Sequence, residues 1–291
     1  MSFSSILANI HCSRYDNRRD AGLTTPEDIM RDDNILYGTD TKWQLLDVYR
    51  PKQYEGKLPV IVSVHGGGWV YGTKKTYSFY CMSLAQRGFA VINFTYRLAP
   101  AFCHPCALED TNLVFEWVLK HADEYNLDTD NIFAVGDSSG AQCLALYACI
   151  LTNPEYSTKY PFKAPEDLRI KALALNCGIY NAELTKSVKD LRDYLPKGRE
   201  TEVLHDLTVI HHVSENFPPS FVMTSNMDFL RLEPGYLTEV FDRLGVSYIS
   251  KEYGDDSHKL YHVFHCDIRS EEAIKANDEE TEYFKSFINN N

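Results

Sequence analysis

The pentapeptide at residues 136–140, Gly-Asp-Ser-Ser-Gly, constrains the fold more than any other stretch of the chain. The apolar, partly β-branched run 131–135 before it predicts a buried strand. The run 141–151 after it lacks Gly and Pro and predicts a helix. Between such elements, the glycines allow a sharp turn and the central serine stands at the positive end of the helix. Ser138 is therefore a candidate nucleophile, with a helix N-cap as its alternative role.

The overall charge argues against several classes of partner. The 291 residues include 29 Lys and Arg but 41 Asp and Glu, which gives a net charge of −12. Such a surface repels phosphate backbones and anionic lipid, so we expect neither nucleic acid nor a membrane as a partner. Residues 1–14 lack the basic and apolar segments of a signal peptide, and the eight scattered cysteines are expected to be reduced thiols. These features predict a cytoplasmic protein.

A second glycine-rich segment follows the predicted strand 60–64. It reads His-Gly-Gly-Gly-Trp at residues 65–69. Three successive glycines leave backbone N–H groups bare, which suits a loop that approaches an anion, and a flexible turn is the alternative. Predicted strands and helices alternate through the chain. This order predicts an α/β fold with a mostly parallel central sheet and helices on both faces.

The sequence pattern divides the chain into an arm and one large domain. Residues 1–40 are polar and mixed, with a helix start predicted at residues 25–28, and we interpret them as an N-terminal arm. Residues 41–291 carry the α/β pattern. Within them, residues 180–216 show no strand pattern, so we interpret this segment as an inserted lid. Two short helical pieces are predicted there, at about 188–194 and 199–207.

Candidate partners for the serine occur later in the chain. A serine hydroxyl needs a base and an orienting carboxylate, which follow in the order Ser, Asp, His in α/β hydrolases. Asp228 follows the predicted strand 220–224, and active-site loops gather at the carboxyl ends of strands. Its alternative role is to cap the following helix, and its rivals are Asp255 and Asp256. We therefore favour Asp228 as the acid.

Three histidines follow the last predicted strand: His258, His262 and His265. Spacings of four and three residues would put them on one side of a helix, which leaves a metal site open. Their neighbours Leu260 and Val263 instead favour packing. Spacing alone does not select the general base.

Two other motifs are interpreted as having no catalytic, redox or metal-binding role. Residues 103–106, Cys-His-Pro-Cys, have the form of a redox or metal site, but no second Cys or His pair stands at a suitable distance. His211 and His212 are interpreted as a solvated pair in the lid. We therefore expect no metal and no organic cofactor.

Together these motifs resemble the hormone-sensitive-lipase-like carboxylesterases, also called bacterial family IV esterases. The matching segments lie at residues 65–69, 71–72, 96–100, 107–110, 136–140, 228–231 and 262–264. The resemblance covers the chain from about residue 47 onward. It implies an α/β-hydrolase fold with a small helical cap, which in this family is formed by the segments corresponding to the arm and the insert.

The resemblance also implies roles for individual residues. Ser138 corresponds to the nucleophile, His262 to the general base and Asp228 to the orienting acid. The family's catalytic histidine usually precedes Gly-Phe or Val-Phe, which favours His262. The implied oxyanion hole consists of the N–H groups of Gly67, Gly68 and Ser139, on a loop shaped by His65 and Gly66. The family often has Ala at position 139, and a serine there is expected to change little because only its backbone N–H is used.

These residues predict a serine carboxylesterase that hydrolyses small esters with short acyl chains through an acyl-serine intermediate. Deacetylation of an acetylated sugar, or hydrolysis of an aryl ester or amide, would use the same triad. A small-molecule receptor is the non-enzymatic alternative, because receptors on this fold keep the serine motif and lose the catalytic histidine. Related esterases often form homodimers, but no segment of this chain identifies such a surface.

Overall fold

The computed structural model describes residues 2–184 and 191–288. In this part of the chain, eight strands form one sheet in the order β1-β2-β4-β3-β5-β6-β7-β8. The strands are β1 Ile29–Leu36, β2 Leu45–Pro51, β3 Leu58–Val64, β4 Ala90–Phe94, β5 Leu127–Asp137, β6 Ile170–Asn176, β7 Ser220–Ser225 and β8 Tyr248–Tyr253. β2 pairs antiparallel with β1 and β4, and the neighbours from β4 to β8 are parallel. The predicted mostly parallel α/β sheet is confirmed.

Helices cover both faces of this sheet. The helices are α1 Phe3–Arg19, α2 Ser78–Gln86, α3 Cys106–Lys120, α4 Ser139–Thr152, α5 Pro154–Ser157, α6 Glu200–Asp206, α7 Glu233–Leu244 and α8 Glu271–Lys285, with 3₁₀ turns at Val209–His211 and Phe264–Cys266. Successive side chains of a strand point to opposite faces. Val60 and Val62 of β3 therefore pack with α3 and α4, whereas Ile61 packs with α2 and α8. The two buried clusters lie on opposite faces of the sheet.

The helix start predicted at residues 25–28 is wrong. The chain from Ile29 onward forms β1, which pairs antiparallel with β2. This pairing satisfies backbone groups at the sheet edge and outweighs the local signal for a helix. The helix of the arm lies earlier, where the Ser2 hydroxyl accepts a hydrogen bond from the N–H of Ser5 at 3.3 Å and caps α1. The arm thus comprises one helix and one strand of the sheet.

The segment 180–216 contains no strand among its described residues. Helix α6 confirms the helical piece predicted at about 199–207. Of the piece predicted at about 188–194, residues 188–190 lie outside the described residues, and Leu191 is helical and is followed by a turn at residues 192–194. The segment follows β6 and therefore begins near the carboxyl ends of the parallel strands, and the chain then returns to the amino end of β7.

Candidate active site

Ser138 lies on a tight turn between β5 and α4. Its dihedral angles, φ 54° and ψ −121°, are uncommon for a residue with a Cβ atom and place its side chain above the sheet edge. The N–H of Ser138 donates to the carbonyl of Asn176 at 2.9 Å, which holds the turn against β6. Gly140 allows α4 to approach β3, because a Cβ atom there would lie 2.1 Å from the carbonyl oxygen of Val64. The flanks of the pentapeptide form the strand and helix that the sequence predicts.

The structure brings Ser138, His262 and Asp228 into one hydrogen-bonded chain. Ser138 Oγ lies 3.0 Å from His262 Nε2, and His262 Nδ1 lies 2.9 Å from Asp228 Oδ1. Because an ionised carboxylate only accepts hydrogen bonds, Nδ1–H donates to Asp228 and Nε2 is free to accept the serine proton. The imidazole is thereby held in the tautomer that a general base requires.

The carboxylate of Asp228 is buried and well supplied with donors. The N–H of Leu230 donates to Oδ1 at 2.8 Å, and Thr224 Oγ1 lies 3.4 Å from Oδ2. Burial opposes ionisation, but the hydrogen bond and charge of His262, the Leu230 N–H and the thiol of Cys177 outweigh it and hold the pKa of Asp228 below its ordinary value. Asp228 therefore remains ionised at neutral pH. The sequence contained no signal for Cys177, which directly follows β6 with a φ of 50°.

The competing acids and histidines lie elsewhere. Asp255 is exposed and accepts hydrogen bonds from the backbone N–H groups of Ser257 and His258 at 2.8 Å, so it organises its own turn. The side chain of His258 is 67% exposed. His265 is fully buried, and burial lowers its pKa to about 3, which agrees with a packing role. A metal site shared by the three histidines is not supported. Among the described residues, His262 lies near Cys177 and Asp228, whereas His265 lies near Asp137 and Cys266.

The glycine loop after β3 lines the same cavity as Ser138. Gly67 adopts a φ of 126°, and a Cβ atom there would lie 2.1 Å from the carbonyl oxygen of Tyr71, so only glycine fits. Gly68 also has a positive φ, 58°. Within residues 2–184 and 191–288, no protein group accepts a hydrogen bond from the N–H of Gly67 or Gly68. Ser139 begins the 14-residue helix α4, whose N-terminus favours negative charge.

His65 supports this loop from within the protein. It is fully buried, its Nδ1–H donates to the carbonyl of Gly66 at 2.7 Å, and its ring stacks on Tyr96 with 4.1 Å between centroids. Burial lowers the pKa of His65 to about 4, although the bond to Gly66 partly opposes that shift. His65 is therefore neutral at pH 7 and acts on the shape of the loop rather than on its charge.

Asp137 is a site residue that the sequence reasoning missed. Its carboxylate accepts hydrogen bonds from the hydroxyl of Tyr77 at 2.6 Å and from the N–H of Gly66 at 3.2 Å. It thus connects the nucleophile turn to the glycine loop. Its position directly before Ser138 was the only signal available, because the partner Tyr77 comes from a different segment.

Replacing Asp137 with Asn should change how folding stability depends on pH. Burial raises the pKa of Asp137 to about 6, although Tyr77 and other neighbours oppose that shift. Because the folded-state pKa exceeds the unfolded one, this carboxyl contributes stability that is present below about pH 4 and is lost as pH rises through about 6. We expect the stability of Asp137→Asn relative to the unmodified protein to improve by roughly 3 kcal/mol between pH 4 and pH 7. Urea unfolding across that range measures the difference, and a constant difference would contradict the assignment.

The hydroxyl of Ser139 has a role that the sequence analysis did not anticipate. Ser139 Oγ accepts a hydrogen bond from the N–H of Trp69, at 3.3 Å, and so ties the glycine loop to the start of α4. The side chain at this position therefore contributes to the site in addition to its backbone N–H.

We expect Ser139→Ala to lower kcat for ester hydrolysis about tenfold with little change in KM. The reason is that the buried N–H of Trp69 loses its acceptor, which loosens the loop that presents Gly67 and Gly68. Steady-state kinetics would measure the effect. Ser83→Ala is the matched control, because the buried Ser83 hydroxyl donates only to the carbonyl of Tyr80, within α2. Equal kcat values for the two variants would rule out this role.

A cavity of about 520 Å³ opens beside Ser138. One wall consists of α1 residues, among them Ser5, Asn9, Cys12, Tyr15 and Asp16. Ile179 and Phe229 also line the cavity, and 4.4 Å separates the ring centroids of Phe229 and His262. The sequence could not identify these lining residues, because α1 reaches the site only through tertiary packing.

The strand order and the turn after β5 that carries Ser138 together define an α/β hydrolase. The chain belongs to the BD-FAE family, whose model matches residues 46–230. Two curated relatives from Mycobacterium tuberculosis are similar to it. Esterase LipC is 30% identical over 205 residues, which cover 67% of this chain and 50% of LipC. The probable carboxylic ester hydrolase LipM is 27% identical over 215 residues, covering 70% and 49% respectively. This chain thus matches about half the length of these relatives.

Solved structures share nearly the whole fold. The inhibited esterase B from Lactobacillus rhamnosis aligns with a TM-score of 0.90 and 24% identity, over 98% of this chain and 95% of that one. A second structure of that esterase, inhibited by a tributyrin phosphonate, has a TM-score of 0.88 and 25% identity over 99% and 96%. With the matches above, these confirm the resemblance to hormone-sensitive-lipase-like α/β hydrolases. Among the described residues, no helix has both the length and the apolar character needed to cross a bilayer.

Proposed function

We propose that this protein is a serine carboxylesterase that hydrolyses small esters with short acyl chains. The observation that carries the proposal is the hydrogen-bonded chain from Ser138 through His262 to Asp228, at 3.0 Å and 2.9 Å. The free N–H groups of the glycine loop support it. LipC and LipM are named as an esterase and a probable carboxylic ester hydrolase, which points to the same reaction class.

The mechanism proceeds in two covalent steps. Ser138 Oγ attacks the ester carbonyl carbon while its proton passes to His262 Nε2, and the carbonyl electron pair moves to oxygen. The N–H groups of Gly67, Gly68 and Ser139 stabilise that oxyanion, and each such donor contributes about 2.7–4 kcal/mol. The C–O bond then breaks, and His262 returns the proton to the leaving alcohol.

Water completes the reaction by the same route. It loses a proton to His262 and attacks the acyl carbon, after which Ser138 leaves and recovers its proton. The negative charge of Asp228 stabilises the imidazolium that forms in each step. No metal or organic cofactor takes part in this scheme.

We further propose that α1 and the segment 180–216 form the cap over the acyl pocket. The two lie together, since the N–H of Ser2 donates to the carboxylate of Asp193 at 2.5 Å. The ring of Tyr194 stacks on Trp69, with 5.3 Å between centroids, so the segment also contacts the glycine loop. Residues 41–291 form the catalytic domain, into which the segment 180–216 is inserted, and β1 of the arm joins its sheet.

The location, substrate class and assembly of the protein stay predictions. We propose a cytoplasmic location, a small-molecule ester as the substrate rather than nucleic acid, and a homodimer as an assembly to test. The acidic net charge of −12 supports the second of these. The receptor alternative is less favoured, because His262 is present within hydrogen-bonding distance of Ser138.

Hydrolysis of p-nitrophenyl esters from acetyl to decanoyl tests the proposal. The cavity of about 520 Å³ is near the lower end of small-molecule sites, so we expect kcat/KM to be highest for short acyl chains and to fall toward decanoate. An acetylated sugar and an acetylated aryl amine, assayed in parallel, separate the deacetylase and amidase alternatives. If kcat/KM for the acetylated sugar or the acetylated aryl amine exceeds that for every simple ester, the corresponding alternative replaces our substrate assignment. Inactivity on all of them, with a folded protein that binds a small molecule, would favour a receptor.

A further inference from the structure

A second group of reactive side chains lies in the segment 180–216, outside the triad. The imidazoles of His205 and His211 both face the carboxylate of Glu183. His205 Nδ1 lies 3.1 Å from Oε1, and His211 Nε2 lies 3.2 Å from Oε2. The two rings stack with 4.7 Å between centroids. One ligand atom from each of the three side chains lies within 4.8 Å of the others.

This cluster differs from what the sequence suggests for the histidine pair. His211 and His212 were expected to form a solvated pair, but their rings diverge. His212 is buried, stacks on Tyr156 at 3.9 Å between centroids, and its Nε2 lies 3.2 Å from the carbonyl of His205. Only His211 faces outward, where it meets His205 and Glu183. The tertiary fold therefore creates a pair of imidazoles that are six positions apart in the chain.

The donor set and its spacing suit a borderline divalent cation. Two imidazoles and one carboxylate are a common ligand set for Zn²⁺, with a water molecule completing the tetrahedron. Ligand atoms at about 2.0–2.1 Å from such an ion are separated by roughly 3.3 Å. The separations of 3.1 Å and 3.2 Å run to different oxygens of Glu183, whereas one ligand atom from each side chain lies within 4.8 Å of the other two. Side-chain rotations that bring these three atoms closer together would complete the site. The exposed side chains also leave an open path for the ion.

We propose that Glu183, His205 and His211 bind a zinc ion. Glu183 and His205 lie 22 positions apart, so the ion would close a loop of the segment that we assign to the cap. Because the ion would bind the folded segment and not the unfolded chain, its binding would stabilise the folded segment. The site shares no residue with the proposed triad, and the effect we expect from the ion is on the stability of the cap segment.

Isothermal titration with ZnCl₂ tests the proposal on protein without a histidine tag, after treatment with EDTA and removal of the chelator. We expect one ion per chain and a higher thermal unfolding midpoint in the presence of zinc. His205→Ala and His211→Ala should each weaken zinc affinity by roughly 100-fold or more and abolish the thermal shift. Circular dichroism verifies that the variants are folded.

The matched control is His121→Ala. His121 Nδ1 lies 2.7 Å from Glu124 Oε2 on the protein surface, but this is a pair with one imidazole, so its loss should leave zinc binding unchanged. Ser138→Ala should also bind zinc as the unmodified protein does, which separates this site from the proposed catalysis. The proposal is overturned if the unmodified protein binds no zinc, or if zinc affinity is the same in His205→Ala and His121→Ala. In either case the cluster is only a pair of hydrogen bonds to Glu183.

Discussion

Ser138→Ala is expected to lower kcat for ester hydrolysis by about 10⁶-fold, the largest effect of any single substitution. The variant removes the atom that forms the acyl intermediate, and the remaining oxyanion donors stabilise attack by water only weakly. Folding should be preserved, because among the described residues the Ser138 hydroxyl forms a hydrogen bond only with His262. Steady-state kinetics on p-nitrophenyl acetate, with circular dichroism for the fold, measure both effects.

Covalent labelling checks the same assignment independently. A p-nitrophenyl alkylphosphonate should react with the hydroxyl of Ser138, release one equivalent of p-nitrophenolate and leave a phosphonyl group on Oγ, detected by peptide mass spectrometry. Ser286→Ala is a suitable control, because Ser286 is exposed and its hydroxyl donates to the carbonyl of Tyr283. Residual turnover above about 1% of the unmodified protein in Ser138→Ala, or labelling at another residue, would remove Ser138 from its proposed role.

Asp228→Asn is expected to lower kcat/KM by about 10³–10⁴-fold. The amide oxygen can take the place of Oδ1, which accepts the hydrogen bonds of His262 and Leu230, so the geometry survives. What is lost is the negative charge that stabilises the imidazolium in the transition state. Asp255→Asn, at the exposed rival acid, is the control and should retain full activity.

The pH profile adds a second test of this role. The pKa of Asp228 lies below its ordinary value, so this carboxylate stays ionised at a pH where a free aspartate begins to protonate. Any stability that its ionised form contributes is present above the unfolded pKa and is lost only as pH falls through the lower folded value. We therefore expect protonation of Asp228 to make no contribution to any decline of kcat/KM at a pH above the ordinary aspartate pKa. A loss below tenfold in Asp228→Asn would show that another acid orients the histidine.

The nucleophile turn and the glycine loop could be predicted because their signals are local. Each depends on a strand followed directly by glycines, and the φ of 126° at Gly67 is a conformation that the residue type itself permits. The order Ser, Asp, His could also be recognised, since loops after parallel strands meet at one edge of the sheet. Spacing along the chain could not choose among His258, His262 and His265, because the choice depends on which ring reaches Asp228.

The sequence by itself determined the α/β class, the turn that carries Ser138 and the residue types of the proposed triad, because hydrophobic period and glycine placement act over a few neighbouring residues. Only the tertiary structure decided that residues 29–36 form a strand, that Asp137 supports the glycine loop through Tyr77, and that α1 lines the pocket. The tertiary structure also decided that the ring of His211 diverges from that of His212 and lies beside Glu183, 28 positions earlier in the chain. These contacts join segments distant in sequence, and their energy comes from burial and hydrogen bonds that exist only when the whole chain is packed.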